Sequence, residues 1–298
     1  MRTLFKAWFL VPFLSLLFLC SCATEQHSSL GDGKSKLPSE VPINANAGRG
    51  GWVVVTLHDT NGDAFPFLLD TGTSGTLFDT SVESKLGKSL GDASVNGWGH
   101  RKIVHVYAMP PLYLGNVTLQ TPSETATYDF GPLRDGTGTR IVGILGYDTL
   151  RHYCIQWDFA ASQMRFFDDK TADKSSWGKA YPIVDLNDND ERPAVAQNLL
   201  GQRGPHSLID SGTDIDGWLM PKNYWQWTNN IPIPGQAKSP YGLFDGTQYP
   251  AIWLGESDVE SDGIGIRFLA RHLVTLDFPK RKLYLKLQSL APLPKPGQ

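Results

Sequence analysis

Two aspartates each close an apolar run and open the same short motif. Asp70 follows Leu68-Leu69 and leads into Thr71-Gly72-Thr73, and Asp210 follows Leu208-Ile209 and leads into Ser211-Gly212-Thr213. A carboxylate ending a buried strand is costly unless hydrogen bonds or a function hold it there, so each is a candidate for acid–base chemistry. Gly72 and Gly212 let the backbone turn tightly beneath the carboxylates, and the neighbouring hydroxyls can bind adjacent groups.

The surrounding pattern predicts strands. Residues 52–57 read as a strand, Asn61-Gly62 as a two-residue hairpin turn, and 64–70 as the returning strand. The second copy repeats this with 194–200, a Gly-Gln-Arg-Gly turn at 201–204, and 205–210. Ten residues after each aspartate a short helix is expected. Thr80 with Glu83 offers a capping box, and Pro221 fits a first helical position. Further landmarks keep register: Asp70 to Gly115 and Asp210 to Gly255 are both 45 residues, and Gly146 to Asp158 and Gly265 to Asp277 are both 12. Between these landmarks the first copy carries 21 extra residues, around 118–138, with no assigned role. The chain therefore reads as an internal duplication of an all-β unit. Residues 51–168 and 180–290 form the two lobes, 169–179 a polar connector, and 291–298 a tail.

Two Asp-Thr/Ser-Gly motifs in one chain resemble the two halves of an aspartic peptidase of the pepsin and retropepsin clan. The resemblance covers 51–287. It implies two β-barrel-like lobes with short helices, packed about a pseudo-twofold axis that brings Asp70 and Asp210 face to face. Two carboxylates that close cannot both ionise easily, so they would share a proton and titrate as one unit. One member would take a proton from a water attacking a peptide carbonyl while the other donates to the carbonyl oxygen, with no cofactor and no metal. By the same resemblance, Thr71 and Ser211 bind across the lobe junction, Thr73 and Thr213 hydrogen-bond the carboxylates, and Gly146 and Gly265 pack beneath the loops. A flap hairpin is expected around 95–106 with Trp98 at its tip. A hairpin carrying Tyr241 gives the second lobe a similar device, so the two halves look symmetric, as in retropepsins. Asp214 and Asp216 crowd the second motif and would favour a protonated pair if they face it. The alternative is a non-catalytic peptide-binding lipoprotein of the same fold.

Composition bounds these expectations. Without residues 1–21, 25 basic residues face 30 acidic ones with no basic run, which argues against a nucleic-acid partner. Residues 1–21 read as a secretory signal too short to span a membrane, and Leu19-Cys20-Ser21-Cys22 resembles a bacterial lipoprotein cleavage box. Cys22 would then carry lipid, and Ala23 after it points to the outer membrane. Residues 22–50 are polar and aperiodic and read as a flexible tether, about 30 Å in root-mean-square reach. Cys154 sits in an apolar run as a small core residue. Because one chain supplies both aspartates, a monomer acting on polypeptide is expected. The acidic run 185–191 lacks the glycine and final glutamate of a calcium loop, and no His-Glu-x-x-His or Gly-x-Ser-x-Gly pattern is present. The aromatic cluster at 224–227 reads as core packing.

Overall fold

Ala64–Leu69 explains the architecture in miniature. Phe65, Phe67 and Leu69 enter the main hydrophobic core, whereas Leu68 points the other way into a second cluster with Val54, Ile144 and Tyr128. A strand apolar on both faces has to lie inside a layered structure, not on a wall with one side in water. The computed structural model describes residues 39–288 apart from 98–99, 132, 137, 230–235 and 258–260. It is an all-β molecule of three sheets with short helices.

Each motif strand sits in its own sheet. In the nine-stranded sheet, Gly143–Leu145 lies between Ala64–Leu69, which it pairs in parallel, and Leu77–Asp79, which it pairs antiparallel. The seven-stranded sheet repeats this with Asp262–Gly265 between Arg203–Asp210 and Gly217–Leu219. Val54 pairs with Leu68, and Ala194 with Leu208, so the copies superpose at an offset of 140 residues around the aspartates.

The closing strands of the two copies meet in a third, six-stranded sheet. Cys154–Asp158 pairs antiparallel with His272–Asp277, and Gln156 lies opposite Thr275, donating Nε2–H to its Oγ1 at 2.8 Å. At the 119-residue offset of this region Gln156 faces its own counterpart, so the pseudo-twofold axis passes through that rung. Trp157 and Met164 are fully buried there, and Cys154 is a buried thiol that burial pushes up to about 12. The connector is fastened to the sheet by buried Trp177 against Phe167 and Tyr284, and by Lys174 on Asp277.

Four expectations need correction. The tether read over 22–50 ends sooner: Ser39–Pro42 is an edge strand on Gln163–Phe167, with Val41, Ile43 and Ala47 buried. Prolines bracket that short strand and disguise it as linker, though an edge strand tolerates them. Residues 22–38 and the tail 291–298 lie outside the described residues. The capping box does not form: Asp79 Oδ1 accepts from Ser81 N at 2.9 Å as the cap, and Glu83 instead accepts from Thr127. The equal 45-residue intervals do not mark equivalent residues. Tyr113–Leu114 pairs beside Val54–His58 at one side of its sheet, whereas Leu254 lies parallel to Gly217. The strand standing where Leu254 stands is Glu124–Tyr128, parallel to Leu77–Asp79. The unassigned 118–138 segment therefore supplies a strand of the first sheet, held by Phe130 N and Arg134 on the buried carboxylate of Asp79.

His272 gives the fold a pH dependence. Its ring is buried, donating Nδ1–H to the Phe268 carbonyl at 3.2 Å and accepting the Tyr249 hydroxyl at Nε2 at 3.0 Å. Burial pulls its pKa down to about 4, so the folded state keeps it neutral where the unfolded chain protonates it. This contribution is complete above pH 6.5 and is lost as pH falls toward 4, amounting to about 3 kcal/mol. His272→Gln is expected to remove that acid-side loss, and urea unfolding of both proteins from pH 7 to pH 4 checks it.

Candidate active site

Both aspartates stand where the end of a parallel-paired strand turns back on itself. Asp70 Oδ1 accepts from Gly72 N at 2.8 Å and Thr73 N at 3.1 Å, and its Oδ2 accepts from Thr73 Oγ1 at 2.6 Å. Asp210 repeats this with Gly212 N at 2.7 Å and Thr213 Oγ1 at 3.0 Å. The two loops press into each other. A Cβ at Gly72 would lie 2.4 Å from Asp210 Cγ, and one at Gly212 would lie 2.5 Å from Asp70 Cγ. No side chain fits at either place, so glycine is required by the close approach and not by the turn, where neither residue has a positive φ.

Below the carboxylates, Thr71 and Ser211 exchange bonds across the junction. Thr71 Oγ1 donates to the Ile209 carbonyl at 2.7 Å and accepts from Ser211 N at 3.1 Å. Ser211 Oγ donates to the Leu69 carbonyl at 2.8 Å and accepts from Thr71 N at 3.0 Å. Both residues are completely buried, so every one of these groups depends on its partner for satisfaction. Gly146 and Gly265 close the loops from beneath, their α positions against the carbonyls of Gly75 and Ile215.

Burial raises Asp210 well above the usual carboxylate range, and the charge of Asp70 together with a hydrogen bond between the two carboxyls raises it further. Asp216, expected to crowd the pair, is turned away. It is buried and ion-paired to Arg267 at 3.2 Å and Arg271 at 2.9 Å, and it accepts from Trp253 N at 2.9 Å. Burial raises Asp214, and the cation acting on it is Arg267. In the first lobe the corresponding positions are Thr76 and Asp148, with Thr76 Oγ1 donating to Asp148 at 2.6 Å. The same socket is thus filled by a hydroxyl over an acid in one lobe and by an acid over an arginine in the other.

Two contacts went unread in the sequence. Trp52 Nε1 donates to the Gly212 carbonyl at 2.7 Å, and Arg192 Nη1 donates to the Gly72 carbonyl at 2.6 Å. They are counterparts at the 140-residue offset, each reaching the opposite motif. Asp190 grips Arg192 through both carboxylate oxygens, at 3.0 Å from Nε and 2.6 Å from Nη2. These hydrogen bonds hold the guanidinium pKa up, with the charges of Asp210 and Asp70 adding to them. The signal was available as the 140-residue offset itself, but a tryptophan and an arginine do not look like equivalents.

The expected flap is an antiparallel hairpin of Gly91–Gly97 and His100–Ala108. It joins the rest of its sheet through Val106–Ala108 alone, so His100–His105 pairs only with the other arm. Trp98 lies outside the described residues, as does Cys22. Tyr241 is not a flap residue. Its hairpin, Gln236–Phe244 with Thr247–Glu256, turns at Asp245-Gly246 and is packed down by buried Phe244 and Tyr249 against Phe268. It corresponds to the link between the inner flap arm and Glu124–Tyr128 in the first lobe, not to the flap. Among the described residues only the first lobe has a flap hairpin, so the expected symmetry fails. No group of three or more His, Cys, Asp or Glu among the described residues is arranged to hold a metal.

Residues 54–149 match the family model described as aspartyl protease. The match spans the first motif, the flap hairpin and Gly146, and supports an aspartic peptidase relationship for that lobe. No curated protein matches the chain.

The junction sets a stability test. Thr71→Val strands Ser211 N and the Ile209 carbonyl without partners and is expected to cost about 2–4 kcal/mol, whereas Thr71→Ser keeps the hydroxyl and loses far less. Urea denaturation of the two variants measures the difference.

Proposed function

We propose that the chain is an aspartic-type endopeptidase that hydrolyses peptide bonds with a water activated between Asp70 and Asp210. The observation that carries this is the approach of the two carboxyls, each held against the other's glycine, where burial and Asp70 raise Asp210 well above the usual carboxylate range. A singly protonated pair supplies both halves of acid–base catalysis. The ionised carboxylate removes a proton from the water as its oxygen attacks the peptide carbonyl carbon. The protonated partner donates to the carbonyl oxygen, giving a neutral tetrahedral diol. Collapse of the diol returns one proton to a carboxylate and passes one to the leaving nitrogen, restoring the pair to its starting charge.

The loop hydrogen bonds orient the carboxylates without neutralising them. Gly72 N, Thr73 Oγ1 and their counterparts are neutral donors that fix both oxygens of each carboxylate from the loop side, and the pair's charge remains for the shared proton and for water. The family match over the first lobe agrees with this reading. The rival, a peptide-binding lipoprotein without turnover, predicts the same cleft with no bond breaking. In the cell we place the protein in the bacterial envelope, lipid-anchored through Cys22 at the outer membrane, as a monomer acting on polypeptide.

Cleavage of a mixed peptide library by the wild type, Asp70→Asn and Asp210→Asn is the test. Each substitution is expected to lower turnover at least about 10³-fold. Equal cleavage by all three proteins rejects the enzyme reading. A second readout separates lost chemistry from lost fold. The raised Asp210 pKa stabilises the folded state at low pH, and that contribution disappears as pH rises through the folded value. Asp210→Asn should therefore be inactive yet more stable than wild type at neutral pH, which thermal melts measure.

A further inference from the structure

The two residues that cross from each lobe to the opposite motif occupy equivalent positions but differ in charge. Trp52 gives the Gly212 carbonyl a neutral N–H at 2.7 Å, while Arg192 gives the Gly72 carbonyl a guanidinium N–H at 2.6 Å. The N–H of that same peptide unit, Thr73 N, donates to Asp70 Oδ1 at 3.1 Å, so Arg192 is one peptide unit from the carboxylate pair. A neutral donor would satisfy that carbonyl equally well, as Trp52 does for its counterpart. Retaining a partly buried cation and a partner acid there requires a reason beyond the bond itself, because such pairs repay their desolvation poorly.

We propose that Arg192, set by Asp190, is the positioning residue that fixes the electrostatic potential of the Asp70–Asp210 pair and hence the pH range over which the pair holds one proton. This rests on the peptidase reading only for its consequence in catalysis, since the effect on titration exists whether or not the protein turns over. The other charges around the pair leave this role to Arg192. Asp216 is neutralised by Arg267 and Arg271, Asp148 is taken up by Thr76, and Asp214 stands over Arg267. The charges of both Asp210 and Asp70 act in turn on the Arg192 guanidinium. Asp190 opposes the cation without releasing it, so the two residues push the pair in opposite directions.

The experiment is a ¹³C-carboxyl NMR titration of Asp70 and Asp210 in wild type, Arg192→Met, Arg192→Lys and Asp190→Asn, with the pH profile of peptide cleavage recorded alongside. Arg192→Met should raise the midpoints of the pair by about one unit, Arg192→Lys should restore them, and Asp190→Asn should lower them. The cleavage profile should move in the same directions. Midpoints that stay in place, or that move the same way in Arg192→Met and Asp190→Asn, overturn the proposal, because a purely structural role gives no reversal of sign. If Arg192→Met fails to fold, Asp190→Asn, which keeps the bond to Gly72, decides the question alone. Absence of cleavage in every protein, with the NMR shifts as expected, rejects the peptidase reading and leaves the assignment of Arg192 standing.

Discussion

The closeness of two acids governs this molecule. Asp70 and Asp210 meet only because neither motif carries a side chain at its glycine, since a single Cβ would overlap the opposing carboxyl group. Everything nearby serves that approach. The hydroxyl exchange between Thr71 and Ser211 fixes the loops in depth, and Gly146 and Gly265 let the layers beneath close up. Like charges held together and buried are unfavourable, so the surrounding bonds maintain an arrangement the acids themselves resist. The response is a raised Asp210, pushed well above the usual carboxylate range by burial and by Asp70.

Duplication supplied the frame, and divergence within the frame supplied polarity. Thr76 over Asp148 in one lobe becomes Asp216 over Arg267 in the other, preserving the contact while reversing which side holds the acid. Burial pushes Asp216 toward its neutral form and Arg267 away from its charge, and the charges of Arg271 and Arg267 on Asp216, and of Asp216 on Arg267, oppose that push. Trp52 and Arg192 show the same habit closer to the pair. The first lobe also keeps a flap hairpin beside Glu124–Tyr128, whereas the second folds its hairpin down over Phe268.

Where residue type dictates backbone behaviour, the sequence was legible. Pro221 at the start of its helix and the duplicated strands around each aspartate follow from local chemistry, whereas Asn61-Gly62, expected as a two-residue turn, lies in a five-residue loop between His58 and Ala64 in which only Gly62 has positive φ. The match of Gly115 with Gly255 failed because identical spacing was mistaken for identical pairing, and a register is set by partners that spacing does not name. Tyr241 failed for a related reason: hairpins look alike in a sequence, and only the strand each one joins says which hairpin it is. Ser39–Pro42 was missed because an edge strand needs only one neighbour and so carries little pattern of its own. Arg192 was missed because its importance lies in a carbonyl it reaches 120 residues away.

The six-stranded sheet carries a mechanical implication. Five consecutive residue pairs join Cys154–Asp158 to Leu273–Asp277, so the halves share one continuous ladder with no hinge between them. Swinging the lobes apart would strain that ladder and the Thr71–Ser211 lock together. The outer part of the Gly91–Ala108 hairpin, by contrast, has no backbone pairing with any strand outside the hairpin and is held by side-chain contacts, Val104 in the second cluster and Lys102 over Tyr128. The spacing of Asp70 and Asp210 is therefore set by the stiff body of the molecule and not by the arm that projects from it.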